Sequence, residues 1–173
     1  MTPADGDFRA PSALRKIVRN ETELLSRVAA AKAAGLRVVL TNGAFDLLHV
    51  GHVRAIEDAR SRGGFLVVGV NADSSVRASK GPRRPVVPEA ERAELVAALG
   101  AVDLVFVFSE RTAEALIRLV RPHVHAKGRD YAADAVPERA VVEACGGTVE
   151  IVGDPKDHAT TDVVAKIRSG EIG

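Results

Sequence analysis

The sequence predicts a doubly wound α/β fold: a five-stranded parallel sheet with helices on both faces. Two observations carry that expectation. Five short runs, "LRVVLT", "FLVVGVN", "VDLVFVF", "HVHAKG" and "TVEIVG", are apolar enough to be buried on both faces. Helix-length segments separate them, which is what parallel neighbours need as crossovers.

The elements follow in order. Residues 1–18 are expected to be a poorly ordered tail, with "LRKIV" able to pack on a neighbour, and residues 19–173 a single domain. "ETELLSRVAAAKAA" is a helix that Asn20 and Glu23 cap and Gly35 ends. After "LRVVLT", rich in branched residues, a second helix starts near His49 or Val50 and runs to Arg62, with Gly63 as its stop. "FLVVGVN" leads into a polar loop holding "SKGPRRPVVP", then a helix from Pro88 to Leu99 and the strand "VDLVFVF". A helix at "TAEALIRLV", the run "HVHAKG", an irregular stretch, a helix around "PERAVVEAC", the run "TVEIVG" and a last helix from about Thr161 complete the chain.

Composition limits what such a domain does. The 173 residues, 46% hydrophobic and 27% charged, suit one self-sufficient core. A net charge of +1 gives no broad footprint for nucleic acid or an anionic membrane, and 3% aromatics give no base-stacking platform. Cys145 is the single cysteine, which fits a reducing compartment. No apolar run approaches the roughly 20 residues of a membrane span, and the N-terminus lacks a secretory pattern. A cytoplasmic protein is expected.

Ligands of doubly wound folds sit at the carboxyl ends of the strands, so the loops after positions 41, 71, 108, 128 and 153 are the ones to inspect. Neither the dinucleotide-binding G-x-G-x-x-G nor the P-loop spelling is present. The first strand is followed instead by Asn42-Gly43-Ala44-Phe45-Asp46 and a helix start bearing His49 and His52 around Gly51. Small residues let backbone amides approach an anion, and the helix N-terminus adds partial positive charge. Spacing of three puts both imidazoles on one face, where their N–H groups are suited to stabilising charge on a phosphoryl group. Two plainer readings compete: a partial zinc site, which lacks a third ligand at a recognisable spacing, and a helix cap or core filler.

"TNGAFDLLHVGH" resembles the T/N-G-x-F-D-x-x-H-x-G-H signature of the cytidylyltransferase-like nucleotidyltransferases, whose fold is Rossmann-like. "VVGVNADSSVRASKG", "RRPVVPEAERAELVAALGAVDLV", "KGRDY" and "HATTDVVAKI" extend the likeness over about residues 16–168, most closely to the adenylyltransferases of D-glycero-β-D-manno-heptose 1-phosphate. The resemblance implies attack by a sugar 1-phosphate oxygen on the α-phosphorus of ATP, with magnesium carried on the nucleotide and pyrophosphate leaving. The partners implied are ATP and a sugar 1-phosphate, with a homodimer or higher homo-oligomer as the assembly. Many relatives carry a fused sugar kinase; here a separate kinase is expected to supply the substrate.

By resemblance, His49, His52 and Lys80 are the catalytic candidates. Asn42, Gly43, Ala44, Phe45, Gly51, Lys127, Gly128, Thr160 and Thr161 are assigned to the nucleotide, and Asp73, Arg84, Arg92 and Asp130 to the substrate. Competing readings are a solvated surface loop for Lys80, a helix-face partner of Glu89 for Arg92, a helix cap for Asp73 and an ordinary N-cap for the threonines. His123 and His125 are read as structural. The chain departs from the pattern at Ala159, which removes a hydroxyl, and at Arg129, which adds bulk and charge beside the site. Two other functions stay open: the same reaction with CTP and a polyol phosphate, and a nucleotide-binding module without turnover.

Overall fold

A computed structural model describes residues 12–129, 135–154 and 169. Its sheet contains β1 (Ile17–Val18), β2 (Val38–Gly43), β3 (Phe65–Asn71), β4 (Leu104–Phe108), β5 (Val124–Gly128) and β6 (Thr148–Val152). All pairings are parallel, and the order across the sheet is β1-β4-β3-β2-β5-β6. The helices are α1 (Glu21–Ala33), α2 (Val50–Ser61), α3 (Asp73–Lys80), α4 (Glu89–Ala97), α5 (Glu114–Val120) and α6 (Arg139–Ala144). Among the described residues no helix is long and apolar enough to cross a membrane.

The sheet is one strand wider than the sequence suggested. A single helical turn, Ser12–Lys16, and β1 come from the segment expected to be a tail. Ile17 pairs with Val105 and Val18 with Phe106, Val18 is buried, and Lys16 Nζ donates to Leu99 O at 3.0 Å. The apolar edge of β4 accounts for this recruitment, since even a two-residue strand pairs with its centre at Val105 and Phe106.

Alternation along the strands divides the core into two layers. Val38, Leu40, Val67 and Leu104 face α1, α5 and α6 through Leu24, Val28, Leu116, Ile117 and Val142. Val39, Leu66, Val68, Val105 and Val124 face α2 and α4 through Ile56, Ala59, Ala93 and Val96. The chain runs outward from β2 to β3 and β4, then returns past β2 to β5 and β6, so helices change face and strand order reverses between β2 and β5. A crevice at the carboxyl ends of these two strands is the natural ligand site of such a sheet.

Local chemistry explains most boundaries. Asn20 caps α1 by accepting the Glu23 N–H at 2.9 Å, and Gly35 follows with a φ of 76°. α2 begins after His49, its N-cap, and ends before Arg62. The polar segment after β3, read from sequence as a loop with a helix cap at Asp73 as one alternative, holds a helix: α3 opens at Asp73, whose N–H donates to Glu89 Oε2 at 2.6 Å, and closes at Gly81 with a φ of 93°. Asp73 is therefore the first residue of α3, after the N-cap Ala72. The last helix expected from Thr161 lies outside the described residues.

Gly63 stops α2 for a packing reason. A Cβ there would lie 2.4 Å from Arg37 O and 2.7 Å from Val39 Cγ2, where the chain passes the start of β2. Gly63→Ala must push the backbone aside, and chemical denaturation should show a loss of roughly 1–3 kcal/mol.

Candidate functional site

The loop after β2 is shaped by one residue of unusual backbone. Phe45 has a φ of 49°, in the left-handed region, which turns its ring back over Gly43. A Cβ on Gly43 would sit 3.2 Å from Phe45 Cζ. The glycine expected to admit an anion thus seats a phenyl ring. Phe45 is buried, and its ring meets that of His52 edge-on, with centroids 5.4 Å apart and planes at 60°.

His49 and His52 follow at the N-terminus of α2, their ring centroids 3.9 Å apart, each half-buried. The His49 backbone N–H donates to His52 Nδ1 at 3.3 Å. A ring nitrogen that accepts carries no proton, so the His52 proton belongs on Nε2. The sequence expectation of an N–H donor beside a helix terminus therefore has a device that sets the tautomer, built from the cap itself.

Arg92 occupies a different place from the one expected. Its guanidinium is fully buried: Nε donates to Val87 O at 2.9 Å, Nη1 to Asn71 O at 2.8 Å and to Ala44 O, and Nη2 to Asp73 Oδ1 at 2.7 Å. A side chain with no accessible surface does not meet a substrate, and it is not the helix-face partner of Glu89 either. Both Arg92 and Asp73 are committed to tying the ends of β2 and β3 to α3 and α4. Arg84 is similarly engaged, donating through Nη1 to Asp46 Oδ2 at 2.6 Å. Asp46 also accepts the N–H groups of Val86 at 2.6 Å and Val87 at 3.1 Å. Burial raises the Asp46 carboxyl, but the Val87 N–H, Arg84 and the Val86 N–H outweigh it and hold the group below the usual carboxylate range. Lys80, expected in a loop, is the exposed last residue of α3, and among the described residues no hydrogen bond or ion pair ties it to the histidines.

Across the crevice, Asn42 and Lys127 are the penultimate residues of β2 and β5 and share the α6 face with His125. Lys127 Nζ donates to Asn42 Oδ1 at 3.2 Å and to Glu138 Oε1 at 3.1 Å, while His125 Nε2 lies 3.1 Å from Asn42 Oδ1. Burial, then the positive charge of Lys127, lowers the His125 imidazole from 6.5 to about 4 against the opposing pull of Glu138. Gly128, at the tip of β5, has open space where a Cβ would be. Arg129 Nε donates to Gly153 O, bridging the ends of β5 and β6. His123 Nδ1 accepts the Val38 N–H at 2.9 Å, a structural use in keeping with its expected role.

Residues 40–172 match the cytidylyltransferase-like family. The chain belongs to that family. It is 49% identical over 160 residues to the bifunctional protein HldE of Bradyrhizobium sp. (strain ORS 278), covering 92% of this chain and 33% of that protein. It is 47% identical over 174 residues to the bifunctional protein HldE of Halorhodospira halophila, covering 98% of this chain and 36% of the relative. The chain thus spans about a third of the length of the curated relatives it matches. Among solved structures, the lipopolysaccharide core biosynthesis protein from Thermoplasma volcanium superposes with a TM-score of 0.61 at 29% identity, over 71% of this chain and 100% of that one. Pantothenate synthetase from Thermus thermophilus, at 22% identity and a TM-score of 0.58 over 83% of this chain and 63% of its own, shares the fold.

Within this cytidylyltransferase-like domain, β2, β5 and the N-terminus of α2 bring Asn42, Gly43, Ala44, Phe45, His49, Gly51, His52, Lys127 and Gly128 to the switch point or its flanking loop. Asp130, Thr160 and Thr161 lie outside the described residues, as does Ala159. Sequence reasoning assigned no role to Asp46, although it stands inside the signature, and missed Glu138, whose neighbours give no motif.

Two outcomes follow from the buried charges. Arg92→Met strands Asp73 and three carbonyls and should cost about 3 kcal/mol or more in denaturation experiments. The folded His125 refuses a proton that the unfolded chain accepts, so between pH 6.5 and about 4 stability should decline as pH falls. A pH series of denaturation midpoints should show a shallower acid-side decline in His125→Gln.

Proposed function

We propose that this chain transfers the AMP moiety of ATP to a sugar 1-phosphate, with D-glycero-β-D-manno-heptose 1-phosphate as the acceptor. An acceptor phosphate oxygen attacks the α-phosphorus, the bond from that phosphorus to the bridging oxygen breaks, and pyrophosphate carries away the electron pair. The observation that carries this reading is the histidine pair at the N-terminus of α2, with rings 3.9 Å apart and His52 Nδ1 occupied by the His49 N–H. Donors held in place before charge develops stabilise it without reorganisation. Membership of the cytidylyltransferase-like family supports nucleotidyl transfer, and the likeness to a lipopolysaccharide core biosynthesis protein supports a sugar phosphate.

The donors around the α2 terminus are nitrogens, which suit phosphate oxygens rather than a hard cation. The nearby carboxylates of Asp46 and Asp73 are paired with Arg84 and Arg92. Magnesium therefore enters on the triphosphate, where it neutralises phosphate charge, and no side chain is assigned to it. Lys80, exposed at the end of α3, is the cation proposed to meet phosphates directly, whereas Lys127, buried with Nζ on Asn42 Oδ1 and Glu138 Oε1, is proposed to serve the nucleotide site through Asn42. A cytoplasmic homodimer completes the proposal.

Incubation with magnesium, ATP and heptose 1-phosphate should release pyrophosphate. His49→Ala and His52→Ala, checked for folding by circular dichroism, should each lower kcat by roughly 100-fold to 1,000-fold. Turnover at the parental rate in both variants would remove their assigned role.

A further inference from the structure

The side chains on the β5 side of the crevice form a hydrogen-bonded chain whose direction is fixed by donor inventory. Lysine has donors and no acceptor, so the Asn42 atom 3.2 Å from Lys127 Nζ is the carbonyl oxygen and not the amide nitrogen. The same oxygen lies 3.1 Å from His125 Nε2, which must then carry the ring proton. Consistent with that tautomer, His125 Nδ1 is buried and accepts from no described residue. With Oδ1 filled from both sides, the Asn42 amide is turned so that Nδ2 faces the other way. Among the described residues Nδ2 donates to none, and Asn42 is only half-buried, at the carboxyl end of β2 beside the strand reversal.

Glu138 is the far anchor of the chain. It precedes α6, is 7% exposed, and takes Lys127 Nζ on Oε1 at 3.1 Å. Its Oε2 is buried without a hydrogen-bond partner among the described residues. A carboxylate chosen for stability alone would have both oxygens satisfied, because an unpaired buried acceptor is costly. What Glu138 supplies is a fixed place for the ammonium, and thereby a fixed orientation for Asn42.

We infer that Glu138 is a positioning residue that acts through Lys127 to turn the Asn42 amide into the crevice, where Nδ2–H donates to an anionic oxygen of the bound nucleotide. The inference rests on the nucleotidyl-transfer reading for the identity of that ligand. It makes Asn42 a directional contact in place of a strand-end polar group.

Calorimetric titration of magnesium ATP into the parent chain, Glu138→Gln, Asn42→Ala and the double variant tests this. Each single change should weaken binding by about tenfold, the loss expected for one hydrogen bond to a charged group. The double variant should bind no more weakly than Asn42→Ala, because Glu138 acts only through that amide. Multiplied losses, or unchanged affinity in Glu138→Gln, would overturn the proposal, since an ordinary ion pair elsewhere in the fold gives those results. Independently of whether the variants fold, ring 15N spectra of the parent should show the Nε2–H tautomer at His125, and the Nδ1–H tautomer would overturn the donor chain. Parent protein that binds magnesium ATP yet releases no pyrophosphate with the acceptor removes the transfer reading and leaves the binding cycle intact; a parent with no affinity for magnesium ATP overturns both.

Discussion

A guanidinium with no access to water has to give its donors to protein acceptors, and Arg92 gives them to four separate pieces of chain. Ala44 lies after β2, Asn71 ends β3, Asp73 opens α3 and Val87 precedes α4. Three of the four acceptors are backbone carbonyls, so the bonds fix the path of the chain rather than the pose of one side chain. The loop carrying Phe45 and the histidines inherits its geometry from this hub. Asp46 adds a second tie, through Arg84 and two backbone N–H groups, between the same loop and the residues preceding α4. Desolvating a guanidinium is expensive, and the Asp73 carboxylate beside it is what offsets that cost.

Two faces of one sheet then equip one crevice differently. From the α2 side come ring N–H donors on a helix terminus, with Phe45 edge-on to His52. From the α6 side come a buried cation and an amide oriented by it. A polyphosphate presents acceptors and charge but no donors, so a site made of donors on both walls is complementary to it without needing a nucleophile. The His125 imidazole, held neutral by burial and by Lys127, keeps the second wall free of a further positive charge inside the protein.

Much of the fold was legible because its signals are local. The five long strands, the Asn20 cap, the N-terminus of α2 and the stop at Gly63 are written in short-range pattern. β1 was not, since two residues carry no periodicity and the pairing depends on the distant edge of β4. α3 was obscured by its polarity; what opens it is the Glu89 carboxylate, sixteen residues on. The histidine pair was legible as a pair, whereas its tautomer needed the backbone bond from His49. Arg92 was misplaced for an instructive reason: a charged residue on a helical segment reads as exposed, and only the convergence of four separate pieces of chain shows where its acceptors come from. Glu138 had no signal at all, because its meaning lies in Lys127 and Asn42 on separate strands.

The two-residue strand at the sheet's margin also bears on how the protein behaves before it is fully folded. β4 reads Leu-Val-Phe-Val-Phe, uncharged and without proline, the composition of segments that stack between molecules when their backbone edge is open. Among the described residues only Ile17 and Val18 pair with that edge, and they arrive from the N-terminal part of the chain through a contact of long sequence separation. Shortening the protein past residue 18 would remove the buried Val18 along with Ala13 and Ile17, which pack against the layer holding α4, and would unmask an adhesive ribbon, so yield and colloidal behaviour are where the loss of β1 would first be felt.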